Sequence, residues 1–227
     1  MRKTIPNSPL RKNEDTFCSR IASGLCVIFF FTWLHILINK FAYFGYYDWD
    51  LAIYANAMWS LTHGSFHSSL FGTNFLTNHA EYLSFFLVPI YLIFPGAFTL
   101  IVLKLLSFIA GSFVFYLIAK RVLGGPVAIL LMLMYQFHPA NFFMLIYEFH
   151  FESLVIIFIF LMFYFFSRER LIPFLVSAFF ASLVKENISL IVLMFGIYAI
   201  FTKRSRKAAF GPATIGAGEP RHWRAAW

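Results

Sequence analysis

Residues 97–119 decide the fold and read AFTLIVLKLLSFIAGSFVFYLIA. This stretch of 23 residues contains one charged side chain, Lys104. About 20 consecutive apolar residues are enough for a helix to cross the roughly 30 Å hydrocarbon core of a bilayer. The stretch therefore predicts a membrane-spanning helix, in which Lys104 must find a partner or extend its ammonium towards the membrane surface.

The composition of the whole chain agrees with this prediction. Of 227 residues, 60% are hydrophobic and only 12% are charged, whereas a soluble domain is about 25% charged. A soluble fold made from this chain would expose large apolar patches. The same numbers exclude a disordered or collagen-like chain, so the composition favours a polytopic membrane protein whose first partner is the lipid bilayer.

The net charge of +8 could suggest nucleic acid. In a membrane protein, however, an excess of Lys and Arg marks the cytoplasmic ends of spans, so we predict no nucleic-acid partner. The sequence also contains no phosphate-binding loop and no dinucleotide-binding glycine pattern. ATP-driven transport and nicotinamide chemistry therefore have no support.

We predict an all-α membrane bundle with about six transmembrane helices, at residues 21–38, 97–119, 126–146, 154–166, 171–184 and 188–202. In this arrangement, the basic clusters that end the spans lie on one side, which we take as the cytoplasmic side of the plasma membrane. The N-terminal tail (1–20) and the basic C-terminal tail (203–227) are then cytoplasmic. Six of the ten acids lie outside: Asp48, Asp50, Glu81, Glu148, Glu152 and Glu186.

Residues 40–96 form the long first extracytoplasmic loop of this topology. Within it, residues 50–62 carry apolar side chains at helical spacing, but the segment is too polar to span and is expected to lie in the interface. Asp48 or Asp50 could cap this helix. Residues 82–94 are expected to form a second juxtamembrane helix at the outer surface.

The outer polar residues are candidates for chemistry, and each has a simpler alternative. Asp48 and Asp50 form Asp-Trp-Asp, which could hold a divalent cation or supply a general base, or could be a helix cap and a solvated charge. His150 and Glu152 could bind a metal ion or move a proton, or could face water in a turn. We expect Asp50, His150 and Glu186 to line one outward cavity.

Two further positions are more ambiguous. Lys185 and Glu186 could offer a cation to a phosphate and a carboxylate to a hydroxyl, or could form a self-compensating ion pair. His79 precedes the juxtamembrane helix, where a capping role is the simpler explanation.

Residues 50–59, DLAIYANAMW, resemble the D-L-G-I-F-x-Q-A-L-W block of a family of predicted bacterial and archaeal membrane proteins, domain of unknown function 2079. Later blocks follow in matching order, namely Asn78-His79 with Pro89-Ile90-Tyr91, then Phe149-His150-Phe151-Glu152, then Lys185-Glu186. The resemblance covers roughly residues 40–200. Departures within the first block are Ala52, Tyr54, Asn56 and Met58.

The family is similar to the GT-C class of integral-membrane glycosyltransferases, which carries an acidic residue in a long first outer loop. The resemblance implies sugar transfer from a polyprenyl-phosphate donor at the outer face. It implies Asp50 as general base or metal ligand, assisted by Asp48. The resemblance also implies five substrate-binding residues, namely His79, His150, Glu152, Lys185 and Glu186. The candidate ligands for a divalent cation are Asp48, Asp50 and His150.

Members of this family are expected to be about twice as long, so the chain is expected to be an N-terminal half. The competing hypotheses are a transporter or flippase and a non-catalytic membrane scaffold. A transporter typically has ionisable groups near the membrane midplane on broken helices. The clustering of acids on one face favours the enzyme.

Overall fold

The computed structural model describes residues 9–47 and 49–201, which are mostly helical and contain almost no strand, and this confirms the all-α class. The helices in chain order are α1 (Pro9–Ala42), α2 (Asp50–Thr62), α3 (Ser84–Ile93), α4 (Ala97–Leu123), α5 (Gly125–Gln136), α6 (Pro139–Ile146), α7 (Val155–Ser167), α8 (Leu171–Ser182) and α9 (Glu186–Phe201). Strands β1 (His67–Ser68) and β2 (Thr73–Asn74) form an antiparallel hairpin. Two 3₁₀ turns, Phe75–Thr77 and Phe151–Leu154, complete the described elements.

Two helices are long and apolar enough to cross a membrane, namely residues Asn13–Ala42 of α1 and the whole of α4. A third crossing results if α5 and α6 are counted together, although they meet at a bend of 51°. The remaining apolar helices α3, α7, α8 and α9 are shorter. Within residues 9–47 and 49–201 there are thus two or three candidate spans, and the count of six stays a prediction.

The predicted span at residues 126–146 is broken in the middle. Helix α5 ends at Gln136 and α6 begins at Pro139, because Pro lacks a backbone N–H and disfavours a helical conformation in the residue before it. His138 is extended, and its side chain accepts a hydrogen bond from the N–H of Ala140 at 3.3 Å. His138 is therefore an exposed helix cap.

Helix α1 begins within the segment that we predicted to be a polar tail. Its first residue is Pro9, and Pro fits the first position of a helix because its missing N–H has no helical partner there. The rest of that predicted tail (1–8) and the predicted tail at 203–227 lie outside the described residues.

Helix α4 is the centre of the bundle and packs against α1, α5 and α7. One of its faces is buried through Leu100, Ile101, Leu105 and Phe108, at the spacing of a helix stripe. At Gly111 the contact with α7 is so close that a Cβ atom would lie 2.7 Å from Cγ2 of Ile156. The helix predicted at residues 50–62 is present as α2, which packs on α3 and α4.

Candidate functional site

The N-terminus of α2 meets the segment between α6 and α7. Asp50, the first residue of α2, lies with Oδ2 3.0 Å from Nε2 of His150, and both side chains are about one third exposed. The ring of Tyr147 stacks on the imidazole, with centroids 5.6 Å apart. Two residues that the sequence places 100 positions apart thus form one polar pair.

A second contact joins the same two segments. The buried carboxylate of Glu148 accepts a hydrogen bond from the N–H of Leu51 at 2.6 Å. First-turn amides of a helix lack a helical partner, and a nearby capping side chain usually supplies one. No described side chain at the start of α2 does so. The prediction that Asp50 caps α2 is therefore wrong, because its carboxylate pairs with His150, and Asp48 lies outside the described residues.

Two lysines, of which Lys104 is fully buried, fix the segment that carries Glu148 and His150. Lys104 of α4 is fully buried, and its Nζ donates to the carbonyls of Tyr147 at 2.5 Å and Met144 at 3.2 Å. Nζ of Lys40 donates to the carbonyl of Ile146 at 2.6 Å. The last carbonyls of a helix lack helical partners and favour a nearby positive charge. Lys104 therefore finds its partners in the backbone at the end of α6.

Tyr54 and Glu81 form a buried pair beside Asp50. The Tyr54 hydroxyl donates to Oε1 of Glu81 at 3.0 Å, and both side chains are less than one tenth exposed. Burial raises the pKa of Glu81 to about 7, although the hydrogen bond from Tyr54 acts in the opposite direction. Burial also raises the pKa of Tyr54, and the charge of Glu81 adds to the shift. Glu81 therefore populates both charge states near neutral pH.

Sequence reasoning did not identify Tyr54 as a site residue. Its position on the apolar stripe of α2 predicted core packing, and its ring indeed packs edge-on against Phe149 and Phe151, with centroids 5.6 and 5.3 Å away. The available signal was its hydroxyl, since a buried Tyr usually finds a hydrogen-bond partner.

Lys185 binds Glu152 rather than its neighbour Glu186. Its Nζ forms an ion pair with Oε1 of Glu152. Burial tends to raise the pKa of Glu152, but the hydrogen bond and the charge of Lys185, a backbone hydrogen bond and the nearby His150 together outweigh burial, and the pKa is lowered. Oε2 of Glu152 is buried and has no hydrogen-bond partner among the described residues. The self-compensating Lys185–Glu186 pair is thus not formed.

Glu186 instead binds His79 and Ala80, which lie in the segment between α2 and α3. Its Oε1 lies 2.9 Å from Nδ1 of His79, and its Oε2 accepts the N–H of Ala80 at 3.0 Å. Its own backbone amide and the bond from His79 lower its pKa to about 2. His79 therefore anchors α9 to the loop and does not cap α3, which begins at Ser84.

Two cavities adjoin these pairs. The larger, of about 330 Å³, is lined by Met144, Tyr147, Glu148, His150, Glu152, Ser153 and Ile156. The smaller, of about 30 Å³, includes Asp50, Tyr54 and Glu81 in its lining and has room for about one water molecule. Glu186 lines neither. The expectation that Glu186 shares one cavity with Asp50 and His150 stays a prediction, and the Glu186 carboxylate is held by His79 and by the backbone of Ala80.

The divalent cation stays a prediction. Within residues 9–47 and 49–201, no group of three or more His, Cys, Asp or Glu side chains has the arrangement needed to hold a metal ion. The predicted ligands Asp50 and His150 bind each other, and the third, Asp48, lies outside the described residues. The described residues thus do not form a metal centre.

Comparison with known protein families gives a match over most of the chain. The sequence model of a family described as a predicted membrane protein (DUF2079) matches residues 41–218, which include every predicted site residue. No curated protein and no solved structure matches the chain.

Proposed function

The chain belongs to the predicted membrane protein family DUF2079, and we propose that it transfers a sugar from a polyprenyl-phosphate donor to an acceptor hydroxyl, as a GT-C-like glycosyltransferase at the extracytoplasmic face of the plasma membrane. The observation that carries the proposal is the 3.0 Å contact between Asp50 and His150. It lies beside a 330 Å³ cavity that combines an aromatic ring, carboxylates and apolar side chains. Such a lining suits a polyhydroxylated ligand attached to a lipid.

In the proposed reaction Asp50 is the general base. The acceptor oxygen bonds to the anomeric carbon of the sugar while its proton passes to the Asp50 carboxylate. The bond from that carbon to the phosphate oxygen breaks, and its electron pair leaves with the polyprenyl phosphate. His150 orients the carboxylate through Oδ2, so the base need not reorganise during the step.

The leaving phosphate requires positive charge, and Lys185 and His79 are the candidates that the resemblance implies. Both are paired with carboxylates, Lys185 with Glu152 and His79 with Glu186. We propose that the donor phosphate competes for these cations, since charge-assisted hydrogen bonds to phosphate are strong. The released carboxylates of Glu152 and Glu186 then accept hydroxyl hydrogens of the sugar or of the acceptor.

A transporter or flippase is the second candidate. It is favoured by the 51° bend between α5 and α6 and by the fully buried Lys104, because transporters often place ionisable groups next to broken helices. The buried ammonium, however, binds backbone carbonyls at the end of α6, which already accounts for it.

A reconstitution experiment separates the two. The full chain is placed in liposomes with a set of polyprenyl-phosphate sugars that carry a radiolabel, and both new glycosidic product and movement of label across the bilayer are measured. The proposal predicts product, reduced about tenfold or more in His150→Gln because the base loses its orientation. The matched control is His67→Gln, an exposed histidine of β1, which should match wild type. Label that crosses without forming product would instead indicate the flippase.

A further inference from the structure

A second cavity lies at the other end of α4, and the proposed function makes no use of it. It has a volume of about 600 Å³ and is lined on its charged side by Lys120, Arg121, Arg168, Glu14 and Asp15. Lys120 follows Lys104 by 16 residues on α4. At 1.5 Å per residue, this places the cavity about 24 Å along the helix from the candidate site, a distance close to the thickness of the hydrocarbon core.

The charges around this cavity do not cancel. Lys120 is held by Asp15, since its Nζ donates to the Asp15 carbonyl at 2.5 Å and lies 3.9 Å from the carboxylate. The described lining thus carries three basic side chains, those of Lys120, Arg121 and Arg168, against two acidic ones, those of Glu14 and Asp15. Both arginines are exposed, so neither is sealed inside the bundle.

The two arginines are held in place by neighbouring side chains. Nη1 of Arg121 is 3.4 Å from the Ser167 hydroxyl, a long hydrogen bond. The guanidinium of Arg168 lies 5.3 Å over the ring of Tyr164, which holds its plane without using its N–H donors. Guanidinium groups offer paired donors that match phosphate oxygens.

The remaining wall of the cavity is apolar and comes from Leu117, Leu123, Pro126 and Val127. It continues from the end of a 27-residue apolar helix, the depth at which lipid headgroups lie. A ligand for this cavity therefore combines an anionic group with an apolar chain. We propose that the cavity binds the phosphate of an anionic phospholipid, with Arg121 and Arg168 on the phosphate and the acyl chains along the apolar wall.

The test uses the purified full chain and native mass spectrometry, with dioleoyl-phosphatidylglycerol and dioleoyl-phosphatidylcholine as competing probes. We expect wild type to retain phosphatidylglycerol preferentially. The double variant Arg121→Gln, Arg168→Gln should lose about thirtyfold in affinity for phosphatidylglycerol, the scale expected for two basic groups at a membrane surface. The matched control is Arg170→Gln, since Arg170 is exposed in the same α7–α8 turn but does not line the cavity.

Each other outcome contradicts the proposal. Equal retention of the two lipids by wild type would overturn the proposal, even if the double variant fails to fold. Thermal unfolding shows whether each variant is folded. If Arg170→Gln loses as much affinity for phosphatidylglycerol as the double variant, the effect comes from general surface charge and not from the cavity. Inorganic phosphate that binds without lipid, and displaces phosphatidylglycerol, would assign the cavity to a soluble phosphate instead.

Discussion

Replacing Lys104 by Met tests whether the buried ammonium holds the candidate site together. The substitution removes two well-formed hydrogen bonds, to the carbonyls of Tyr147 and Met144, and leaves buried acceptors that each cost about 1–3 kcal/mol when unsatisfied. Met also removes the desolvation cost of the ammonium, which offsets part of the loss. The expected net destabilisation is about 2–4 kcal/mol.

The assay is thermal unfolding of the full chain in detergent, followed by far-ultraviolet circular dichroism. For a chain of this size, the destabilisation corresponds to a fall in Tm of roughly 5–15 °C. The matched control is Leu106→Met, which introduces the same side chain at an exposed position of α4 and should change stability by less than about 0.5 kcal/mol. If Lys104→Met unfolds at the wild-type temperature, the carbonyl contacts contribute no net stability and the argument is refuted.

Two further predictions concern stability. Because burial raises the pKa of Glu81 from 4.5 to about 7, the folded chain holds a proton that the unfolded chain releases between these pH values. The contribution of Glu81 to the free energy of unfolding is therefore fully present below pH 4.5 and is lost as the pH rises to 7. The total loss is roughly 3 kcal/mol. Glu81→Gln should flatten this dependence of Tm on pH. If Tm falls with pH as steeply in the variant as in wild type, Glu81 is not the source of the dependence. Gly111→Ala should destabilise the α4–α7 contact by about 1–3 kcal/mol, because the new Cβ would lie 2.7 Å from Ile156. Gly24→Ala on α1, where nothing lies within 4 Å, should unfold at or above the wild-type temperature, and equal effects of the two substitutions would argue against the close contact.

The sequence predicts the local elements of this fold better than their breaks. The spacing of apolar residues identified α2 to the residue, since a 3.6-residue stripe is a local property. The break at His138-Pro139 was hidden because apolar residues continue on both sides of it. A run of apolar residues predicts how long a hydrophobic segment is, but it does not predict whether the chain bends within that segment.

Sequence reasoning named Asp50, His150 and Lys185 as candidates for chemistry, a role that stays a prediction, but it missed Tyr54 and the observed pairings. The outer acids and histidines could be named from the topology, but His150 contacts Asp50 and Lys185 contacts Glu152 through the packing of distant segments. The role of Lys104 depends on carbonyls 40 and 43 positions away, at the end of α6. Such contacts are set by tertiary packing, for which a single sequence carries no periodic signal.

The most direct test of the central claim is sugar transfer by Asp50→Asn. The Asn amide keeps the size of the Asp50 side chain but cannot take up the proton of the acceptor hydroxyl. Turnover in the liposome assay should therefore fall by about two orders of magnitude or more. The matched control is Glu169→Gln, an exposed acid in the α7–α8 turn, which should keep wild-type turnover. Equal turnover by Asp50→Asn and wild type would remove Asp50 from the chemistry and contradict the account.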